Sequence, residues 1–237
     1  MKISRLPLLV ALIALLLLLF AGPGTRVGLW EYGTGFLLMR GAFFAGAAAA
    51  VLALVFLVIP RTRRNATSTL VLALVVGTVA AWIPWNGLQT VRSLPFIHDI
   101  TTDTEEPPVF VAVLPLRADA ANPPEYPGEE VAAQQREAYP EVQPLLTALS
   151  PAEAFDRAEQ VARDLGWEIV VTVPQEGRIE ATDTTFWFGF KDDVVIRVRP
   201  TADGSRVDVR SKSRVGRSDV GANAARIEAF LDAFQAR

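Results

Sequence analysis

The 237-residue chain is half hydrophobic with a formal net charge of −3, and both properties are divided unevenly along it. Up to His98 there are eight basic residues against one acid, Glu31, whereas from Asp99 onward fifteen basic residues face twenty-five acids, so that a formal +7 is followed by −10. Cysteine is absent, which excludes disulfide frameworks, thiolate zinc sites and cysteine nucleophiles; the acidic balance of the second part argues against nucleic acid as a partner.

Residues 6–21, 41–59 and 69–85 are apolar runs without a charge. Each reads as a bilayer-crossing helix, which takes about 20 apolar residues at ~1.5 Å apiece to cover ~30 Å of hydrocarbon. The lipid bilayer is thus the first expected partner, and residues 1–97 form a transmembrane region. Orientation follows from the short basic segments: Lys2 and Arg5 precede the first span, and Arg61, Arg63 and Arg64 crowd the link between the second and third. Both are expected on the cytoplasmic side, which places residues 22–40 and everything after the third span outside. The expected location is a bacterial cytoplasmic (inner) membrane, with a multi-pass N-terminal region and a periplasmic or extracellular C-terminal domain. Trp30, Tyr32, Trp82 and Trp85 fall at the outer interface, where amphipathic rings favour the headgroup layer.

The first span also has the form of a secretory signal, but Phe20-Ala21-Gly22-Pro23 is a poor cleavage site, and its removal would leave the C-terminal domain outside. Gly41, Gly46 and the four alanines 47–50 offer small residues for close helix approach. No ionisable residue lies within a span to carry a proton or ion pathway.

Residues 98–237 are expected to form a soluble α+β domain. Its first fifty residues are rich in proline and acids and read as looped backbone, with an edge strand over 110–116 and a short helix over 129–138. Ser150-Pro151-Ala152-Glu153 then supplies an N-cap, a proline at the first helical position and a capping-box glutamate. The helix they start carries Phe155, Ala158, Val161, Ala162 and Leu165 as its buried stripe and stops at Gly166. Period-two alternation predicts strands over 167–173, 178–183, 186–199 in one long or broken run, and 207–213, with a turn at 202–205. A final amphipathic helix is expected from Ser218 or Asp219, with Val220, Ala224, Ile227, Leu231 and Phe234 inward. Two helices covering one face of a curved antiparallel sheet bury all these stripes.

Between Arg197 and Arg226 eight basic residues meet three acids, a positive island in an acidic domain. Arg197, Arg199 and Arg210 share a polar strand face with Asp208, and Lys212, Arg214 and Arg217 lead into the positive end of the last helix. Guanidinium forks and free helix-start amides suit a phosphate or carboxylate, so an anionic small molecule or an envelope protein is the expected partner. The competing reading has the same arginines pairing with Asp208, Glu180, Asp183, Asp192 or Asp193 to hold the sheet in register. Catalysis has little to carry it: His98 is the sole histidine, and Ser211 and Lys212 point to opposite faces of a strand. A membrane-anchored hydrolase using Asp and Ser around residues 210–219 is the alternative; no cofactor or metal is expected.

Residues 191–199 (KDDVVIRVR) and 208–227 (DVRSKSRVGRSDVGANAARI) resemble the hallmark stretches of a bacterial and plastid family, domain of unknown function number 1499, and His98-Asp99-Ile100-Thr101-Thr102-Asp103 is similar to its entry motif. The resemblance spans about residues 98–235 and implies a place in an envelope membrane, with no activity to carry over. A site marked by this motif would comprise Arg210, Ser211, Ser213, Arg214, Gly216, Ser218, Asp219, Asn223 and Arg226.

Overall fold

A computed structural model describes residues 3–236, so that Lys2, one of the N-terminal basic pair, lies outside the described residues. Two compact units emerge: Met1–Arg92 with Phe186–Gly189, and Ser93–Thr185 with Phe190–Arg237.

The first unit contains α1 (Leu6–Arg26), α2 (Tyr32–Val58), the short α3 (Pro60–Arg63) and α4 (Thr67–Ser93). Three of these, taken with the 3₁₀ turn before α1, are long and apolar enough to cross a membrane. All three exceed the predicted spans. Helix α1 runs on past Ala21 through Gly22-Pro23-Gly24, and the Ala21 carbonyl there accepts from Thr25 Oγ1 at 3.2 Å and Trp30 Nε1 at 3.3 Å. The connection to α2 shrinks from the expected residues 22–40 to residues 27–31. At ~1.5 Å per residue α2 is about 40 Å long, some 10 Å more than a typical hydrocarbon layer, with Arg40 about 12 Å from its start. Small residues act where helices meet: a Cβ on Gly46 would lie 2.7 Å from the Gly77 carbonyl oxygen, so α2 and α4 touch backbone to backbone there.

The second unit is a mixed helix and sheet structure. Its strands are β1 (Asp99–Thr101), β2 (Leu145–Thr147), β3 (Glu168–Val173), β4 (Arg178–Thr184), β5 (Lys191–Thr201) and β6 (Gly204–Ser213), all antiparallel in the order β1-β6-β5-β4-β3, with β2 also pairing β6. Three helices accompany them: α5 (Glu129–Ala138), α6 (Pro151–Asp164) and α7 (Ala222–Gln235). The capping box forms at α6, with Ser150 and Glu153 each accepting from the other's backbone amide. Register puts Ile100, Ser211 and Val194 in one row and Asp99, Lys212 and Asp193 in the next, so alternate rows face opposite sides of the sheet. Ile179, Val194, Ile196, Val198, Val207 and Val209 meet Phe155, Ala158 and Val161 of α6 and Ile227, Phe230 and Phe234 of α7, while Trp167 stacks on Phe230 at 5.6 Å between centroids. The edge strand β1 is covered by α5, whose buried Gln135 side chain donates to the Thr101 carbonyl at 2.6 Å and accepts from its amide at 3.0 Å.

Three expectations need correction. Residues 110–116 do not form a strand; they turn and enter a 3₁₀ helix at Leu114–Arg117, because the amides of Val111, Ala112 and Val113 converge on one carboxylate, which alternating strand amides cannot do. Residues 186–190 lie outside β5, whose pairing starts at Lys191. The last helix begins at Ala222 because Val220 and Gly221 have φ of 56° and 80°, and Val220 is exposed instead of lying on the apolar stripe.

Candidate functional site

The sheet face away from α6 and α7 carries rows of charge, because nearly every second residue of β4, β5 and β6 on that side is polar, Val195 being the apolar exception under Phe110 and Val113. The segment from Thr102 to Gly128 crosses this face as a strap. At one end of the face, buried Glu180 accepts from the amides of Val111, Ala112 and Val113 at 3.0–3.1 Å, and Arg178 pairs with the same carboxylate. Next, Asp193 accepts from Arg117 Nη1 at 2.6 Å, Arg214 Nη2 and Nε at 2.7 and 2.9 Å, and Thr182 Oγ1 at 2.7 Å. Burial alone would push this carboxyl up, but the hydrogen bonds from Arg214, Thr182 and Arg117 outweigh it and hold Asp193 below the ordinary range.

In the same row, on the edge strand β1, Asp99 takes a fork from Arg210 at 2.8 and 2.9 Å and Lys212 Nζ at 2.9 Å. Four buried or mostly buried cations therefore share two carboxylates. Strap carbonyls take up further donors: Arg210 donates to Pro108 and Pro124, Lys212 to Glu125, and Arg117 to Asn122. Burial lowers the Lys212 ammonium below its usual value despite Asp99 beside it. Arg210 also stacks over Phe110 and Tyr126, with its Cζ 4.7 and 5.5 Å from the ring centroids. The Tyr126 phenol, pushed up to about 12 chiefly by burial, has no hydrogen-bond partner.

At the far end Arg197, Arg199 and Arg206 gather around Asp103 and Asp208. Asp103 Oδ2 accepts from all three at 2.7–3.2 Å, while its Oδ1 accepts from the amides of Glu105 and Glu106. Burial would raise the Asp103 carboxyl; the Glu106 amide and the arginines more than offset it. Arg199 and Arg206 are directly opposed across β5 and β6, and remain 35% and 31% exposed. They open on a groove of about 630 Å³ whose other walls include Thr104, Glu105, Glu106, Glu129, Arg136 and Gln143.

The residues singled out in the sequence are thus brought together in three separate places. Arg197, Arg199, Arg210 and Arg214 are on the strap face. Ser211, Ser213, Asn223 and Arg226 are under α7: Ser211 Oγ is 2.6 Å from Asn223 Oδ1, Asn223 Nδ2 donates to Ser213 Oγ at 3.0 Å, and Arg226 donates to Asp183 and Asp192, both at 2.7 Å. The third place is the loop before α7, where Asp219 accepts from the amides of Gly221 and Asn223, Ser218 Oγ approaches the Pro95 carbonyl, and Arg217 is exposed. Gly216 accepts from Asn122 Nδ2 at 2.9 Å. Of the predicted cluster, Arg199 reaches the groove, joined by Asp103 and Arg206, while Arg197 donates to Asp103, Asp208 and the Glu106 carbonyl.

Sequence reasoning did not select Asp103 as the organiser of the arginines, nor Arg117. Strand parity places Glu180 and Asp193 on one face and was enough to find them; Arg117 sits in irregular backbone that no periodicity announces. Among the described residues no group of three or more His, Asp or Glu is arranged to hold a metal ion. A search of curated proteins gave no match. The family model described as "Protein of unknown function (DUF1499)" matches residues 99–234.

Proposed function

The chain belongs to the DUF1499 family, and we propose that this member is a membrane-anchored envelope protein whose sheet unit acts by binding an anionic group, a carboxylate or phosphate borne by a small molecule or an envelope protein. In this proposal the protein lies in a bacterial inner membrane with its N-terminus cytoplasmic and residues 98–237 outside. The charges of Arg5, Arg61, Arg63 and Arg64 support that orientation.

The observation that carries the binding reading is the pair Arg199 and Arg206. These guanidiniums lie side by side, each fixed from below by Asp103 and Asp208. Arg199 Nη1 also pairs with Glu106 at the groove wall, an exposed carboxylate that an incoming anion would replace, and Arg206 presents its Nη1 edge to the groove. Side chains held in place lose little freedom when an anion arrives, and planar forks match carboxylate and phosphate oxygens.

The full chain in lipid nanodiscs provides the test. Phosphate at about 100 times its Kd adds about 2.7 kcal/mol to a folded state that alone binds it, so millimolar phosphate raises Tm in the parent and not in Arg199→Gln/Arg206→Gln. A protein partner instead gives one discrete product from a photo-crosslinking side chain at Gln143, lost in the same double variant. The absence of both a Tm shift and a discrete product would refute the proposal.

A further inference from the structure

The turn between β4 and β5 reads Thr185-Phe186-Trp187-Phe188-Gly189-Phe190, the densest aromatic stretch of the chain. Its four central residues belong to the same compact unit as the apolar helices. Trp187 lies on Gly22 of α1, where any Cβ would collide with the indole. Phe188 packs on Phe36 of α2 at 5.1 Å between centroids, and a Cβ on Gly35 would come within 2.8 Å of its ring. Arg26 Nη1 donates to the Phe186 carbonyl, and its guanidinium lies 5.9 Å from the Phe186 centroid. Gly189, with φ of 72°, gives room to the Arg26 side chain.

Two of the three aromatics are therefore consumed by helix packing, and the third is not: Phe186 is 85% exposed. Gly22 and Arg26 occupy the last turn and a half of α1, and Gly35 and Phe36 the first turn and a half of α2. In helices of ~31 and ~40 Å these positions fall at the boundary between hydrocarbon and headgroups. A bare phenyl ring at that depth, beside an arginine and two further aromatics, has the composition of an interfacial belt.

We propose that Phe186 is a membrane anchor additional to the three spans, its ring inserted among the upper acyl chains and glycerol groups of the lipid on the side where α1 ends and α2 begins. The occupant of this surface is lipid, because the tip is continuous with the apolar helix surface. The proposal rests on the helices spanning a bilayer, and the test separates the two.

The chain has no cysteine, so single nitroxide labels can be placed on the full-length protein in lipid vesicles at Phe186→Cys, at Val51→Cys in the apolar second half of α2, and at Asp203→Cys in the polar β5–β6 turn. Phe186 is exposed, so its replacement leaves the packed aromatics in place. The ratio of oxygen to nickel-chelate accessibility is expected to be highest at residue 51, several-fold above residue 203 at residue 186, and lowest at residue 203. Equal ratios at 186 and 203, with a high value at 51, overturn the anchor while leaving the spans intact. A low ratio at 51 overturns the spans, and the anchor with them.

Discussion

Glu180 offers the sharpest test of how the strap is held. Its carboxylate is fully buried and accepts from three consecutive amides, those of Val111, Ala112 and Val113, at 3.0–3.1 Å with both oxygens in use. Glu180→Gln keeps the shape and one oxygen but turns the other into a donor facing an amide N–H. At least one buried amide N–H is then left unsatisfied, costing about 1–3 kcal/mol. Arg178 keeps Glu176 as a partner, so no unpaired cation adds to this sum. Phe110, Val113 and Val195 still pack together, so the loss should appear as local opening. Hydrogen exchange at amides 111–113 of the full chain should therefore quicken roughly 5- to 140-fold, since each 1.4 kcal/mol is a factor of ten. Glu180→Ala, with no acceptor, should open further. Unchanged exchange in the Gln variant would refute the view that this carboxylate ties the strap to the sheet.

Two further outcomes follow from the same physics. Burial and then Lys212 hold the His98 imidazole below its ordinary 6.5, while a hydrogen bond to the Arg217 carbonyl and the charges of Asp99 and Asp219 only partly oppose them. A depressed folded value means stability present above the unfolded value and lost as pH falls through the folded one; Tm should thus start to fall below about pH 6.5, with Asp103 and Asp193 adding a second loss below about pH 4 by the same sign. His98→Gln should flatten the first step and spare the second, and coincident parent and variant profiles between the two steps would contradict the assignment. Separately, Val220 is a β-branched residue at φ of 56° and is exposed. Val220→Gly removes a strain of roughly 1–2 kcal/mol against about 0.4–1 kcal/mol of added unfolded-chain freedom, so a small rise in Tm is expected and a fall would show that the side chain contributes packing.

Much of this architecture was legible because strong local signals agreed with the tertiary result. Runs of leucine and alanine gave three membrane-length helices, Ser150-Pro151 with Glu153 set the start of α6, and the alternation of Val194, Ile196 and Val198 with Arg197 and Arg199 fixed which strand face carries charge. Strands β1 and β2 are three residues each, too short for a period to register, and depend on β6, over a hundred and about sixty residues downstream respectively. The apolar stretch 110–116 resembled a strand, yet a distant carboxylate took its amides. The candidate site was only partly readable: parity separates Arg210 and Lys212 from Ser211 and Ser213, but one linear stretch of polar residues looks like one site until the two sides of the sheet are told apart. Nothing local identified Asp103 as the partner of three arginines contributed by residues 197–206.

The pairing of β1 with β6 fixes an order of events during biosynthesis. Asp99 leaves the ribosome more than a hundred residues before Lys212, the residue it faces across the sheet, so the central strand must be made before the first one has anywhere to dock. Until then the nascent segment is a chain with twenty acids and six bases between Asp99 and Asp193, whose mutual repulsion keeps it soluble and extended while it waits. Late closure of long-range strand pairs is slow, and truncations that stop short of residue 213 would strand an acidic, unfinished sheet for proteases to clear.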